Sequence, residues 1–236
     1  MKMTETESQT GLLEGDFGKA FLEEYQRRMQ ADYKNASALN VLGYRDSVVK
    51  GSNPFAVVLA NQILRQEGLR TATQADLRKA LRINALDLRG FYEDTGLVLR
   101  TEEDKDYFKN TPLAKDLAKQ VKARGKSFSP KNSVMIPLTG FELENADNDY
   151  GLTFRLREDA EVYNAPILSE GGRFDSEEID ERTGLPTKLG AGNRTLFTRN
   201  SGLSGLCLDD YLGLVSANGY LDNSSERGRV VVVKEK

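Results

Sequence analysis

From Phe17 onward the apolar residues Phe17, Phe21, Tyr25 and Met29 return at every fourth position. That spacing marks one face of an amphipathic helix, and it predicts a helix with Asp16 as its N-cap. Ser52-Asn53-Pro54 predicts a second start, with proline in the first turn, ahead of Val57, Val58, Ala60, Ile63 and Leu64 and a stop at Gly68. Thr73-Gln74-Ala75-Asp76 has capping-box spacing and leads into Leu77, Ala80 and Leu81. The period then changes. Residues 96–100 read as a strand, and Thr111-Pro112 opens one more helix with Leu113, Leu117 and Val121 on one face. Beyond Pro130 the pattern is mostly of period two, over 134–138, 152–157, 161–168 and 195–198, and it ends in the β-branched run 229–233. Residues 169–193, rich in Gly, Glu and Asp, read as a long exposed excursion. Helices first, strands later, predicts an α+β fold with a mainly antiparallel sheet: a helical N-terminal region over 1–92 and a second domain over 93–236.

Composition narrows the chemistry. The chain has no histidine, which removes the commonest general base and the commonest metal ligand. Its single cysteine, Cys207, can form neither an internal disulfide nor a cysteine zinc site alone. Catalysis by carboxylates or by a lysine stays open but is disfavoured, so no catalytic residue is assigned. A net charge of −3 argues against nucleic acid as the main partner, because phosphate binding wants a basic face. No apolar run reaches the ~20 residues of a membrane span, and the acidic start 1–7 carries no signal-peptide core, so a soluble protein is expected.

Residues 200–225 behave unlike the rest. Leucines stand at 203, 206, 208, 212, 214 and 221, and the 206/208 and 212/214 pairs have strand spacing, so these leucines can face a core while the residues between them face solvent. The intervening residues are Ser204, Gly205, Cys207, Asp209, Asp210, Tyr211, Gly213, Val215, Ala217, Asn218, Gly219, Tyr220 and Asp222. Each residue type among them is encoded by a codon that differs from the asparagine codon AAC only at its adenines. Lys, Glu, Gln, Met and Trp are not reachable that way, and none occurs in this window. The whole chain holds 15 Lys, 19 Glu, 7 Gln and 4 Met, so about five would be expected there. Loop-forming composition accounts for part of the depletion. Cys207, Tyr211 and Tyr220 fit it less well, and tyrosine is a preferred contact residue in binding surfaces.

Ser201-Gly202-Leu203, Leu206, Leu208, Leu212, Leu214, Leu221 and Ser224, closed by Gly228-Arg229 and four valines, resemble the C-terminal variable region of diversity-generating retroelement target proteins, nearest to the group found in archaea and their viruses. The resemblance covers roughly the last 35 residues. It implies a C-type-lectin-like domain over 93–236, its variable region at about 204–222, in which an error-prone copying step at adenines rewrites the codons of a ligand-binding face. The variable, ligand-contacting residues would be Ser204, Gly205, Cys207, Asp209, Asp210, Tyr211, Gly213, Val215, Asn218, Gly219, Tyr220 and Asp222, with Ala217 less firmly among them. The implied partner is a macromolecule, a protein on a cell or virus surface, reached without a transmembrane segment. No cofactor and no metal is implied.

Other signals are weaker. Asp209-Asp210 offers half a calcium site without further ligands at loop spacing. Gly190-Ala191-Gly192 lacks the third glycine and the helix of a dinucleotide loop. Glu142 with Glu144, and the run Lys115, Lys119, Lys122 and Arg124, read as solvated faces. A cysteine nucleophile at Cys207 lacks supporting residues. Two competing functions remain: a carboxylate-dependent enzyme with a cleft between the two halves, and an interaction protein working through its N-terminal helices.

Overall fold

The computed structural model describes residues 10–234. The acidic segment 1–7 lies outside them. The described chain begins with a short strand, β1 (Thr10–Leu12), and helix α1 (Gly15–Tyr33), which buries Phe21, Tyr25 and Met29 together with Leu22 and Tyr33. Asp16 is not its cap: Glu14 occupies the N-cap position in an extended conformation without a side-chain bond, and Asp16 sits inside the first turn, where its charge still meets the positive end of the helix. A hairpin of β2 (Gly43–Arg45) and β3 (Val48–Lys50) follows. Helix α2 (Pro54–Leu64) starts as predicted. Asn53 Oδ1 accepts from the Ala56 N–H at 2.8 Å, and Pro54 stands in the first turn, where its missing N–H is not needed. All residues of α2 except Gln62 are buried, which makes it the central helix.

Strand β4 (Leu69–Thr71) leads to α3 (Gln74–Arg82), which opens on the complete Thr73/Asp76 capping box. Then come β5 (Glu93–Leu99), α4 (Thr111–Ala123) and β6 (Val134–Pro137). Strands β7 (Phe141–Asn145) and β8 (Leu152–Leu156) form a separate hairpin whose outer face carries Glu142 and Glu144, the latter paired with Arg155 at 2.8 Å. The expected strand at 161–168 is reduced to β9 (Tyr163–Asn164), because Pro166 has no N–H for a ladder and starts a 3-10 turn instead. Within the excursion, β10 (Gly172–Phe174) pairs with β11 (Arg194–Thr198), and Phe174 and Leu185 are buried. The chain ends with β12 (Leu203–Leu208), β13 (Leu214–Ser216) and β14 (Val231–Lys234).

The fold is therefore mixed α+β with mostly antiparallel sheets. The main sheet has the order β10-β11-β13-β12-β5-β6-β9, and only its β11–β13 pair is parallel. A three-stranded sheet places β14 between β1 and β4, so Thr10 stands opposite Val233 and the two ends of the described chain are zipped together. The largest apolar core draws on Leu13, Phe21 and Val57 as well as Leu97, Leu117, Phe154 and Val232. Residues on both sides of the expected 92/93 boundary thus fill one core, and α2 lies against β4, β5 and β7.

Candidate ligand-binding cleft

The six leucines of 200–225 are all buried, but they serve three cores. Leu203 and Leu221 enter the main one, Leu206 and Leu214 a second under the opposite face of the sheet, and Leu208 and Leu212 a third beside α3. Leu203 and Leu206 stand three apart on β12 and so face opposite sides of the sheet. The neighbouring strand β5 carries a bulge. Leu206 pairs with Gly96, whereas Cys207 pairs with Asp94, so Thr95 is the extra residue of β5. The Thr95 hydroxyl turns back and lies 3.1 Å from both Leu206 O and Gln74 Oε1. Beyond the bulge, register places Phe197 opposite Val215, Val215 opposite Cys207 and Cys207 opposite Asp94. This is one cross-strand row over four strands, on the face of the sheet that the Leu206/Leu214 core does not use.

That row borders a cleft of about 460 Å³. Gly205, Cys207, Asp209, Asp210, Val215, Asn218 and Tyr220, seven of the twelve residues expected to vary, line it, together with Tyr92, Asp94 and Arg227. Its far wall is the loop after β13, fastened to the segment before α2. The Ser52 N–H donates to Ser224 Oγ at 2.8 Å and the Ser225 N–H to the Tyr92 hydroxyl at 2.9 Å. Asn53 Nδ2 donates to Asp222 O at 3.1 Å. The wall is thus held by backbone and scaffold groups, while the side chains of Asn218 and Tyr220 stay exposed.

The polar groups of the cleft differ in how free they are. Asp209 Oδ1 accepts from the Tyr211 and Gly213 N–H groups at 2.9 and 2.7 Å and shapes the β12–β13 turn. Asp210 is paired with Arg227 at 2.6 Å. Neither arrangement resembles a calcium loop. Asp94 Oδ2 accepts from Ser52 Oγ at 2.6 Å and has no cationic partner among the described residues. Burial pushes its carboxyl up to about 6, against the pull of the Ser52 hydrogen bond. The Cys207 thiol is pushed well above its ordinary range, first by burial and then by the charges of Asp94 and Asp209, and such a thiol is a poor nucleophile at neutral pH.

The other five expected residues fall elsewhere. Tyr211 is 80% exposed at the hairpin tip, beside the cleft and not among its lining residues. Asp222 is partly exposed and bound to Lys109 at 2.6 Å. Ser204 corrects the reading of a solvent-facing side chain: it is 0% exposed, and its hydroxyl accepts from Arg100 and donates to Ser216 O at 2.7 Å. Gly213 and Gly219 are corrected too, because both are buried and have no room for a side chain. A Cβ at 213 would stand 2.7 Å from Thr195 O, and one at 219 would stand 2.3 Å from the Tyr107 ring. At Gly205 the nearest atom would be 3.5 Å away, so that position can carry a side chain into the cleft.

One exposed residue of the row was not picked out from sequence. Phe197 is 52% exposed at the outer end. The signal was present: Leu196 and Phe197 are adjacent on a strand, so they point to opposite faces and only one can enter the core. Tyr220, 57% exposed, meets Tyr107 edge to face at 4.7 Å, and Arg199 lies over the other ring at 4.7 Å from its centre. Phe197, Tyr211 and Tyr220 thus give the cleft face three exposed aromatic side chains. Comparison with protein-family models, with curated proteins and with solved structures found no match in any of the three.

Proposed function

We propose that this chain is a non-catalytic binding protein whose cleft residues are diversified by a retroelement on a C-type-lectin-like scaffold, and that its ligand is a macromolecule, a protein on the surface of a cell or virus. One observation carries the reading. Seven of the twelve residues picked out by the asparagine-codon pattern line one cleft, while the leucines between them are shared out among three cores. A surface meant to change must be separable from the residues that hold the fold, and for Gly205, Cys207 and Val215 the pleat of β12 and β13 makes that separation.

The α+β order and the antiparallel strands are compatible with the scaffold that the resemblance implies. Exposed aromatic rings beside carboxylates suit protein recognition, since rings supply area for few torsions and carboxylates supply direction. The carboxylate-enzyme alternative rests on Asp94. Asp209 and Asp210 are engaged by the turn and by Arg227, so the cleft offers Asp94 no second uncommitted acid for a two-carboxylate mechanism.

The test is a displayed library of the full chain with positions 205, 207, 210, 215, 218 and 220 randomised to the residue types of the adenine-substituted codons. Protease resistance reports folding. Most clones should stay folded, and selection against immobilised proteins should return binders. A parallel library at 203, 204, 206, 208 and 214 should lose resistance in most clones. If the cleft library unfolds as often as the core library, the reading is wrong.

A further inference from the structure

A second cavity, larger than the cleft at about 680 Å³, lies between α3 and the 176–184 segment. Arg78 is one of its walls. That residue is only 9% exposed, and its Nη1 donates to Leu212 O at 3.1 Å. Its Nε and Nη2 are buried without an acceptor, and its other close neighbour is the Phe174 ring, 5.4 Å from the guanidinium carbon. Arg194, reaching the same cavity from β11, has a single long hydrogen bond to Asn193 O at 3.4 Å and a buried Nε with no acceptor. Among the described residues neither guanidinium forms an ion pair.

Five acids also line the cavity, and among the described residues none forms an ion pair with Arg78 or Arg194. Asp76 is held by Arg70 and Thr73, Glu181 by Arg82, and Asp180 by Thr183, while Asp87 and Glu177 are exposed. Arg78 feels Arg194 as an opposing charge and Asp209 as a favourable one, and burial with Arg194 lowers it to about 10, so it remains a cation at neutral pH. Two neighbouring cations with buried, unused donors are unfavourable unless an anion with several acceptor oxygens joins them. The planar guanidinium fork suits a tetrahedral oxyanion, which accepts from both groups at once. Lys79 and Arg89, both exposed, add positive charge around the cavity, and Leu81, Leu86 and Ile179 give it apolar walls wider than a bare ion needs.

We infer that this cavity is a phosphate-class oxyanion site, with Arg78 and Arg194 as its donors. The ligand is either free phosphate or the phosphoryl group of a small organic ester whose body lies on the apolar wall. The site adjoins the cleft through the β12–β13 turn, by way of Leu212 O and Asp209, but does not rest on the function proposed for the cleft.

The experiment is thermal unfolding of the full chain titrated with inorganic phosphate, against sodium chloride at matched ionic strength, and then with glycerol 3-phosphate. Phosphate should raise Tm along a saturating curve that chloride does not reproduce. Arg194→Gln, whose folding is checked by far-UV circular dichroism, should weaken half-saturation by about tenfold or more. Arg45→Gln, on the distant β2 hairpin, should leave it unchanged. Tighter half-saturation by glycerol 3-phosphate would identify an ester as the ligand class, and equal half-saturation would identify free phosphate. A wild-type Tm that phosphate moves no further than chloride does, or an Arg194→Gln curve that superimposes on the wild type, would overturn the site.

Discussion

Arg100 Nη1 donates to Ser204 Oγ at 2.9 Å, and both residues are 0% exposed. Among the described residues the guanidinium has no carboxylate partner. Its other terminal nitrogen lies 2.8 to 2.9 Å from Leu168 O, Thr198 Oγ1 and Ser216 Oγ and shares its two N–H groups among them, so one cation just after β5 ties β11, β12 and β13 to the turn at 166–169. Ser204→Ala removes one acceptor from a buried charge. It should destabilise by about 1–3 kcal/mol in urea unfolding while leaving the cleft face unaltered. Arg100→Met strands several buried oxygens and should destabilise by more than Ser204→Ala. A Ser204→Ala variant as stable as the wild type would remove Ser204 from the scaffold and return it to the candidate variable set.

The glycines of the segment should separate by the room around them. Gly205→Ser should change stability by less than about 1 kcal/mol, because its Cβ meets only ordinary contacts. Gly213→Ala should lose about 1–3 kcal/mol through its clash with Thr195 O, which is backbone and yields little. Chemical denaturation of the two single variants decides between this order and its reverse.

Asp94 should leave a mark on the pH dependence of stability. Its folded carboxyl, at about 6, lies above the ordinary value of 3.8, so the folded state holds the proton more tightly than the unfolded chain. The resulting stabilisation is complete below about pH 4 and is lost as pH rises through about 6; its size is on the order of 1–2 kcal/mol, since Asp94 keeps part of its surface in the cleft. Neighbouring Glu93, raised to about 7 by burial against the pull of Arg229, adds a slope of the same sign. Unfolding free energies between pH 4 and 7.5 should therefore fall less steeply in Asp94→Asn than in the wild type. Parallel curves would refute the Asp94 assignment.

Cys207 is the single thiol of the chain, so its chemistry can be read without background. With its ionisation pushed up by burial and by Asp94, it should react with a disulfide reagent at pH 8 at least about tenfold more slowly than a free cysteine. Asp94→Asn should speed the reaction severalfold by removing the nearest opposing charge. A wild-type rate equal to that of free cysteine would mean that the thiol is neither desolvated nor electrostatically opposed.

Local chemistry was legible in the sequence. The Asn53-Pro54 start and the Thr73/Asp76 box involve groups three residues apart, so their geometry follows from the chain itself. The inward pair Leu206 and Leu208 was legible for the same reason, through period two on β12, whereas Leu212 is buried from a turn at φ 64, outside any strand. What stayed hidden depends on partners far away. Ser204 looks like an outward residue between Leu203 and Leu206 until Arg100, 104 positions earlier, is seen to need an acceptor. Asp94 stands beside Cys207 because of a bulge at Thr95 that no local pattern announces. The closure of Gly213 and Gly219 comes from Thr195 and Tyr107, again distant in sequence. The shared core across 92/93 rests on α2 packing against β5 and β7, which lie well beyond it in the chain.

The most direct measurement is deep sequencing of this gene and its flanking DNA across the source population. The account predicts that substitutions concentrate at codons 205, 207, 210, 215, 218 and 220, with 211 free to join them. They should coincide with adenines of a nearby template repeat beside a reverse-transcriptase gene, while 204, 213, 219 and the six leucine codons stay fixed. A segment 204–222 no more variable than residues 134–168 would contradict it.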